Sequence, residues 1–295
     1  MEFILTTGGR STSPFETWLK SLKELNDSLL INFDFAENSI KSVAYTNDKT
    51  CVKRSAISLE EAGFELQAIK SDDGAEISQE EWIASNPDTL IRLAVFMQLD
   101  RFIKVVSTFT GADNYTLTLT AAPVVTEKYG QQTYVTRSQF KSQALTMTIA
   151  GSELSEFHII SDDAFNNNIA KIDMPMNFSV NPDTIKMLLS VSSIYSMDVK
   201  KDIVDFCTVQ DANGEWTLHA IDHVNHTYDF IIAYMQPGDV EPKEVMLPIN
   251  RNNFILATKS DIDDSTISVS AGDASEKLCI NTGDSTKTII ATVRV

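Results

Sequence analysis

Residues 11–25 of the chain read STSPFETWLKSLKEL, and this stretch has the pattern of an amphipathic helix. The hydroxyl residues Ser11–Ser13 can cap its start, and Pro14 follows in the first turn, where proline is favoured. Apolar residues recur at helical spacing and predict one buried face, formed by Phe15, Trp18, Leu19, Leu22 and Leu25. A weakly alternating strand, Glu2–Thr7, comes before the helix, and several strand-like segments come after it. This order of elements predicts an α+β fold.

The same order of strand, helix and strands recurs in four passes along the 295 residues. The later passes open with the strands Leu90–Phe96, Met176–Val180 and Val245–Ile249. Their helices are predicted over Gln98–Phe109, from Asn181 onward and over Arg251–Lys259. A recurrence every ~70 to 85 residues indicates repeated copies of one supersecondary unit. We therefore predict two domains, each built from two passes.

The predicted domain boundaries are residues 1–150 and 172–295, with a connector at 151–171 that belongs to neither domain. One segment of the first domain, Phe64–Asp88, is longer and more acidic than a pass requires. We predict that this segment is a surface insertion with a short helix around Gln79–Ala84.

Composition excludes several classes of protein. With 43% hydrophobic residues the chain can bury a sizeable core, so it is globular rather than disordered. Cys51, Cys207 and Cys279 lie far apart and are odd in number, which is typical of buried thiols in a reducing compartment. The sequence shows neither a signal peptide nor an apolar run of the ~20 residues that cross a bilayer, so an intracellular protein is expected.

Signals of catalysis are missing from the sequence. It has no Gly-rich phosphate loop, no nucleophile elbow and no His-Glu-x-x-His motif. His219, His223 and His226 have a spacing that would line one face of a helix and hold zinc, but the segments around them are predicted as strands. We therefore predict no enzyme, no metal site and no cofactor.

Basic residues follow an inward aliphatic residue in three of the four helices, at Lys20, Lys104 and Lys186. One residue turns a helix by ~100°, so these lysines leave the core face. The formal net charge of −17 argues against a nucleic-acid binder unless cations gather on one surface. Ordinary solvated helix faces explain the lysines equally well, and both interpretations stay open at this stage.

The four passes resemble the DNA sliding clamps of the two-domain type, such as proliferating-cell nuclear antigen and the clamps of large tailed bacteriophages. The last pass, Leu247–Leu256 followed by Thr266–Ser270, carries the likeness most clearly. The resemblance covers nearly the whole chain, although it is one of pattern, without an invariant motif. It implies a closed homotrimeric ring with helices inside and sheets outside.

The function implied by the resemblance is that of a non-enzymatic processivity factor. Such a protein encircles double-stranded DNA without sequence specificity and tethers the replicative polymerase, usually after a clamp loader has placed it. A cytoplasmic location follows, in the host cell if the chain is viral. The principal alternative is a β-rich virion or tail protein, which accounts for the strands and the acidity but not for cations on a helix in each pass.

The resemblance also implies three sets of site residues. The cations expected to face DNA are Lys20, Lys23, Arg101, Lys104, Lys186, Lys200, Lys201, Arg251 and Lys259. An outer groove for a partner's apolar peptide is expected to involve Tyr45, Leu154, Phe157, Ile159, Ile160, Val293 and Val295. The subunit interface is expected at two edge strands, through Ala144, Leu145, Met147 and Ile149 of one and Tyr228, Phe230 and Ile232 of the other.

Overall fold

Helices and antiparallel strands build two units in a computed structural model of the chain. The structure describes residues 1–112, 114–126, 130–152, 165, 176–180, 182–195, 203–222, 228–237, 241–258, 265–269, 277–282 and 285–292. Unit 1 consists of Met1–Ala44 and Ser55–Ile160, and unit 2 of Tyr45–Arg54 and Ser161–Val295.

Three helices and ten strands are described within the first 150 residues. The helices are α1 (Ser13–Lys23), α2 (Gln79–Ser85) and α3 (Leu99–Thr110). The strands are β1 (Glu2–Thr6), β2 (Leu29–Asp34), β3 (Ser39–Tyr45), β4 (Cys51–Ser58), β5 (Glu65–Lys70), β6 (Glu76–Ile77), β7 (Ile91–Val95), β8 (Thr116–Thr126), β9 (Gly130–Lys141) and β10 (Thr146–Ala150).

One ladder of unit 1 runs in the order β6, β5, β1, β8, β9 and β10, with every neighbouring pair antiparallel. A second ladder joins β3, β2 and β7, and β7 also meets β9 in parallel at Ile91 and Thr133. A register shift between Thr120 and Ala121 interrupts the long β8–β9 hairpin. Because such a bulge bends a strand, β9 can pair with β8 in the first ladder and with β7 in the second.

The core of unit 1 lies between the sheets and the helices. All five apolar residues predicted for the first helix are buried, which confirms that its core face can be identified from spacing. Aromatic rings dominate the interior, where Phe3 stacks on Phe35 at 5.2 Å and Phe102 meets Phe140 edge-on at 5.9 Å between ring centroids.

The predicted capping hydroxyls at the start of α1 have different partners: Ser11 Oγ accepts a hydrogen bond from the Ser13 N–H at 3.2 Å, whereas Thr12 does not cap the helix. Thr12 occupies the N-cap position but makes no capping hydrogen bond with its side chain. Its Oγ1 instead accepts a hydrogen bond from the Tyr115 hydroxyl at 3.0 Å. This partner lies 103 residues away, so local sequence could not indicate that the cap would be diverted.

The segment Phe64–Asp88 is more than a surface insertion. Its short helix is confirmed as α2, and Ser78 caps it by accepting a hydrogen bond from the Glu81 N–H at 3.1 Å. Trp82 of α2 is buried and meets the Phe3 ring edge-on at 5.3 Å. The segment also supplies β5, which pairs with β1. The prediction of a surface insertion was therefore wrong, because this acidic segment also contains the buried side chain of Trp82.

Unit 2 repeats the plan of helices on an antiparallel ladder. Its described helices are α4 (Pro182–Tyr195) and α5 (Arg251–Thr258). The strands are β11 (Met176–Val180), β12 (Ile203–Gln210), β13 (Trp216–Asp222), β14 (Asp229–Met235), β15 (Met246–Asn250), β16 (Ser265–Val269), β17 (Lys277–Thr282) and β18 (Thr286–Ala291). They pair in the order β18, β17, β16, β11, β14, β13, β12 and β15. Phe206 and Phe254 join the sheet to α5, with 4.8 Å between ring centroids.

All three cysteines are buried and unpaired by disulfides. Burial raises the pKa of the Cys51 thiol to about 12 and that of Cys207 and Cys279 to about 11. The reactive thiolate is therefore suppressed at neutral pH, and the three side chains act as small apolar groups. Among the described helices, none combines the length and the hydropathy needed to cross a bilayer.

Candidate nucleic-acid interface

The helices α1 and α3 pack side by side and run in opposite directions. At one end, the Thr12 and Thr110 hydroxyls lie 3.4 Å apart. At the other end, Lys23 in the last turn of α1 forms an ion pair with Asp100 in the first turn of α3. The apolar stripes of both helices face the core, so their polar residues form one continuous surface, which we call the helical face.

Two of the predicted DNA-facing lysines on the helical face have carboxylate partners. Lys20 Nζ lies 2.6 Å from Glu16 Oε1, one turn earlier in α1. Glu16 is only 12% exposed and also accepts a hydrogen bond from the Thr110 hydroxyl of α3, at 3.2 Å. Hydrogen bonding to Lys20, and then to Ser107 and Thr110, outweighs burial and lowers the pKa of the Glu16 carboxyl.

Lys23 is held in a similar way from the other helix. Its side chain is 32% exposed, and the hydrogen bond to Asp100 raises the pKa of its ammonium group. Asp100 at the start of α3 and Lys23 at the end of α1 also have the charges that favour these helix ends. The pair therefore joins the two helices as well as presenting charge.

Arg101 and Lys104 complete the helical face. Both side chains are exposed on α3, three residues apart and hence on the same side of the helix. Within the described part of the chain, no carboxylate forms an ion pair with either residue. These two cations are thus available to a polyanion.

The predicted cations of unit 2 divide into three groups. Lys186 is exposed on α4, where Nζ lies 3.9 Å from Asp183 Oδ1. Arg251, at the start of α5, is only 9% exposed, so the prediction that it faces solvent was wrong. The sequence pattern around it did not reveal this burial. Lys200, Lys201 and Lys259 lie outside the described residues.

The first predicted interface strand is β10. It begins at Thr146, so Ala144 and Leu145 belong to the preceding bend and not to the strand itself. β9 pairs with one edge of β10, and no strand of the described chain pairs with the other edge. Leu145 is 41% exposed, Met147 is half-buried and Ile149 is buried. An unpaired edge of this kind is open to pairing with another chain.

The second predicted interface strand, β14, has a shorter open edge. β13 pairs with one side of it, and β11 covers the other side only from Ala233 to Met235. Ile232 is fully buried in its own unit, whereas Ile231 is 45% exposed. Tyr228 and Phe230 are half-buried, with 5.9 Å between their ring centroids. The Ile232 side chain therefore cannot contact a neighbour, although the backbone of Asp229–Ile232 can.

Most of the predicted peptide groove cannot be located. Leu154, Phe157, Ile159, Ile160, Val293 and Val295 lie outside the described residues. Tyr45 is half-buried, and burial raises the pKa of its phenol.

Of the three histidines considered for metal binding, only His219 is described. Its Nδ1 lies 2.7 Å from Asp229 Oδ1, and its Nε2 lies 3.0 Å from the Thr217 hydroxyl. Both ring nitrogens thus have protein partners across β13 and β14. His223 and His226 are not among the described residues.

Glu16 and Asp100 were not predicted from the sequence as partners of these lysines. The spacing of four residues between Glu16 and Lys20 was a usable signal, since such pairs meet on a helix. Lys23 and Asp100 are 77 positions apart, so nothing local could have connected them.

Comparison with known proteins identifies the fold. No protein-family model matches the sequence, and no curated protein matches it. Among solved structures, the chain is similar to A. fulgidus PCNA in complex with the C-terminal region of FEN-1, with 12% identity, a TM-score of 0.57 and coverage of 99% of this chain and 98% of that one. It is also similar to the proliferating cellular nuclear antigen of Entamoeba histolytica, with 15% identity, a TM-score of 0.56 and 99% coverage of both chains.

The bacterial clamps form a second group of structural neighbours. The Helicobacter pylori beta clamp bound to a DNA ligase peptide is 11% identical to this chain, with a TM-score of 0.56. The match covers 100% of this chain and 67% of the clamp chain. These matches give no support to the alternative of a virion or tail protein. The α+β chain has the fold of the DNA sliding clamps.

Proposed function

We propose that the chain is a DNA sliding clamp, a ring that encircles duplex DNA and tethers a polymerase. The observation that carries this proposal is the fold match, which extends over 99% of this chain and 98% of the A. fulgidus clamp. The exposed cations of the helical face add a second, weaker argument, because contacts to phosphates alone give binding without sequence specificity. The role is that of a tether rather than an enzyme.

We propose a homotrimer as the assembled state. The chain covers nearly all of the two-domain clamps but only 67% of the H. pylori beta clamp, so a ring of six domains requires three copies. The open edges of β10 and β14 support closure by strand pairing between copies, which also protects these edges from aggregation.

The proposed DNA-facing residues are the predicted cations without Arg251. They are Lys20, Lys23, Arg101, Lys104, Lys186, Lys200, Lys201 and Lys259. We also propose that a partner peptide binds near the connector and the chain's last residues, through Tyr45, Leu154, Phe157, Ile159, Ile160, Val293 and Val295. The neighbours' bound FEN-1 region and DNA ligase peptide support this second site by analogy.

Calorimetry tests the peptide site. The C-terminal peptide of the cognate polymerase is titrated into the unaltered protein and into the double variant Phe157→Ala/Ile159→Ala. Loss of two apolar anchors is expected to weaken binding by 10-fold or more, because each buried side chain contributes about 1.5–3 kcal/mol. Equal affinity for both proteins would remove the connector from the site.

The function itself is tested in two steps. Sedimentation first measures the solution mass, which should be three times the chain's 32.7 kDa. Primer extension with the cognate polymerase and loader then measures product length on a long template. Long products that require the chain support the proposal, whereas unchanged product length with an intact loader would reject it.

A further inference from the structure

The helical face of unit 1 carries four cations that are unequal in their surroundings. Lys20 and Lys23 each touch a carboxylate, whereas Arg101 and Lys104 form no ion pair with any described residue. Within the two helices, Glu16 and Asp100 offset two of these four positive charges, and Asp27, just beyond α1, also acts on Lys23. A phosphate that approaches the helical face therefore meets two ion pairs and two cations that form no ion pair with a described residue.

We propose that Arg101 and Lys104 are the residues through which unit 1 contacts DNA phosphates, while Glu16 and Asp100 hold Lys20 and Lys23 back from the DNA. This inference rests on the proposed function and narrows it: of the four unit 1 cations proposed to face DNA, Lys20 and Lys23 lie on that face without contacting phosphate. It assigns the four cations two different tasks: phosphate contact for the pair on α3, and ion pairing for the two lysines on α1, of which only Lys23 reaches the other helix.

The position of Glu16 explains why Lys20 is held back from the DNA. Its carboxylate lies between the helices, 2.6 Å from Lys20 Nζ and 3.2 Å from the Thr110 hydroxyl. Because Glu16 is held from α3 as well as from α1, its carboxylate stays on the helical face when a phosphate approaches. Lys20 is 59% exposed and its ammonium group can leave Glu16, but the remaining carboxylate then repels the phosphate.

The position of Asp100 explains why Lys23 is also held back from the DNA. It reaches across to Asp100 at the first turn of α3, and its side chain is 32% exposed. Exposed ion pairs contribute little to stability, so Lys23 can leave Asp100. The Asp100 carboxylate would then remain on the same face and repel the phosphate, which cancels the gain.

The biological consequence is a weak grip on DNA. A protein that neutralises Z phosphates shows a slope of about −0.9Z when the logarithm of its binding constant is plotted against the logarithm of salt concentration. Two contacts per unit 1 instead of four keep that slope small. A ring held by few phosphate contacts can move along the duplex, as a polymerase tether must.

Two double variants with different charge changes test the inference. Arg101→Gln/Lys104→Gln removes both unneutralised cations. Lys23→Gln/Asp100→Asn removes a complete ion pair and leaves the net charge unchanged. Binding of each protein to a short fluorescent duplex with open ends is measured by anisotropy across a salt series, and circular dichroism checks that the helices persist.

The first variant is expected to lower the magnitude of the slope by about 1.8 for each unit 1 in contact with the duplex, which corresponds to two lost contacts. The second is expected to keep the slope of the unaltered protein. A third variant, Asp100→Asn alone, frees Lys23 and is expected to raise the magnitude by as much as 0.9, roughly one contact. Glu80→Gln on α2 is its control, because it removes the same charge from another helix.

Two results would overturn the inference, and they differ in what else they remove. Equal loss of slope in the two double variants would show that Lys23 contacts phosphate, while leaving the clamp function standing. Absence of DNA binding by the unaltered protein at low salt would reject both the inference and the proposed function.

Discussion

Glu16 of α1 accepts a hydrogen bond from the Thr110 hydroxyl of α3, with 3.2 Å between Oε2 and Oγ1. Lys20, in the same helix, places its Nζ 2.6 Å from Oε1 of this carboxylate. A single side chain thus connects the N-terminal half of α1 to the C-terminal end of α3. Since it is 12% exposed, water offers it few alternative partners.

This arrangement predicts a pH-dependent contribution to stability. The hydrogen bond from Lys20, with those from Ser107 and Thr110, lowers the pKa of Glu16 below its ordinary value of 4.5. Because the folded pKa lies below the unfolded one, the contribution is full above about pH 4.5 and is lost as the pH falls through the lowered pKa. Glu16→Gln is expected to cost about 1–2 kcal/mol in free energy of unfolding at pH 7.

Urea unfolding at several pH values measures this difference between Glu16→Gln and the unaltered protein. The difference is expected to shrink below pH 4.5, since protonation of Glu16 then does what the substitution does. Glu65→Gln, on the exposed edge of β5, is the control and should cost little at any pH. If Glu16→Gln lowered the free energy of unfolding as much at low pH as at pH 7, the ionised Glu16 carboxylate would not be the source of this stability.

Trp82 is predicted to be the anchor of the acidic segment. It is buried against Phe3 at 5.3 Å and Phe35 at 6.1 Å between ring centroids. Trp82→Ala is expected to lower the free energy of unfolding by about 3–5 kcal/mol, as for other buried aromatic residues. Trp82→Phe should retain most of the contact and cost less. Urea unfolding followed by circular dichroism measures both, and a cost below about 1 kcal/mol for the alanine variant would make the segment peripheral.

Gly151 is predicted to fix the start of the connector. Its N–H donates to the Thr136 carbonyl at 2.9 Å, and a Cβ atom there would lie 2.0 Å from the Val135 carbonyl oxygen. Because the neighbour is backbone, Gly151→Ala is expected to displace the chain and to destabilise unit 1 by about 1–3 kcal/mol.

The matched control for Gly151 is Gly111, the residue that ends α3. Gly111 has a φ of −86°, and a Cβ atom there would have no neighbour within 4 Å. Gly111→Ala should therefore be close to neutral. Thermal unfolding of both variants checks the comparison, and equal melting temperatures would show that the backbone at Gly151 yields without cost.

Local periodicity predicted the helices and most strands of this fold correctly. The strand Met176–Val180 was predicted to the residue, because alternating apolar residues bounded by turn residues leave little freedom. The α+β repeat of four passes followed from the same signal. Residues whose burial depends on their own unit's strands could be identified from the sequence.

Long-range contacts set the limits of sequence-based prediction here. The diverted cap at Thr12 depends on Tyr115, and the anchoring of the acidic segment depends on Phe3 and Phe35. β5 was missed because Glu65–Lys70 lies in the acidic segment that was predicted as a surface insertion, and its pairing with β1 could not be identified from the sequence. Among the site residues, Arg251 was misplaced for the same reason, since its charge gave no sign of burial.

The last prediction concerns the open edges of β10 and β14. Leu145 precedes β10 and is 41% exposed, and Ile231 lies on β14 and is 45% exposed. Because solvent already reaches both side chains, a glutamate at either position should leave the fold of a single chain intact. In the proposed ring, each would place a charge where a neighbouring strand excludes water, and desolvating an unpaired carboxylate is costly.

Leu145→Glu and Ile231→Glu are therefore each expected to lower the solution mass from three times 32.7 kDa to that of one chain. Sedimentation velocity measures the mass, and circular dichroism confirms that the strands remain. Val125→Glu is the matched control, since Val125 is 80% exposed on β8, which is neither of the two predicted interface strands, and the same change in charge there should leave the assembly unaltered. If both edge variants kept the mass of the unaltered protein, β10 and β14 would not form the interface. If Val125→Glu also dissociated the ring, added negative charge on a chain of net charge −17 would be the cause rather than the position of the substitution.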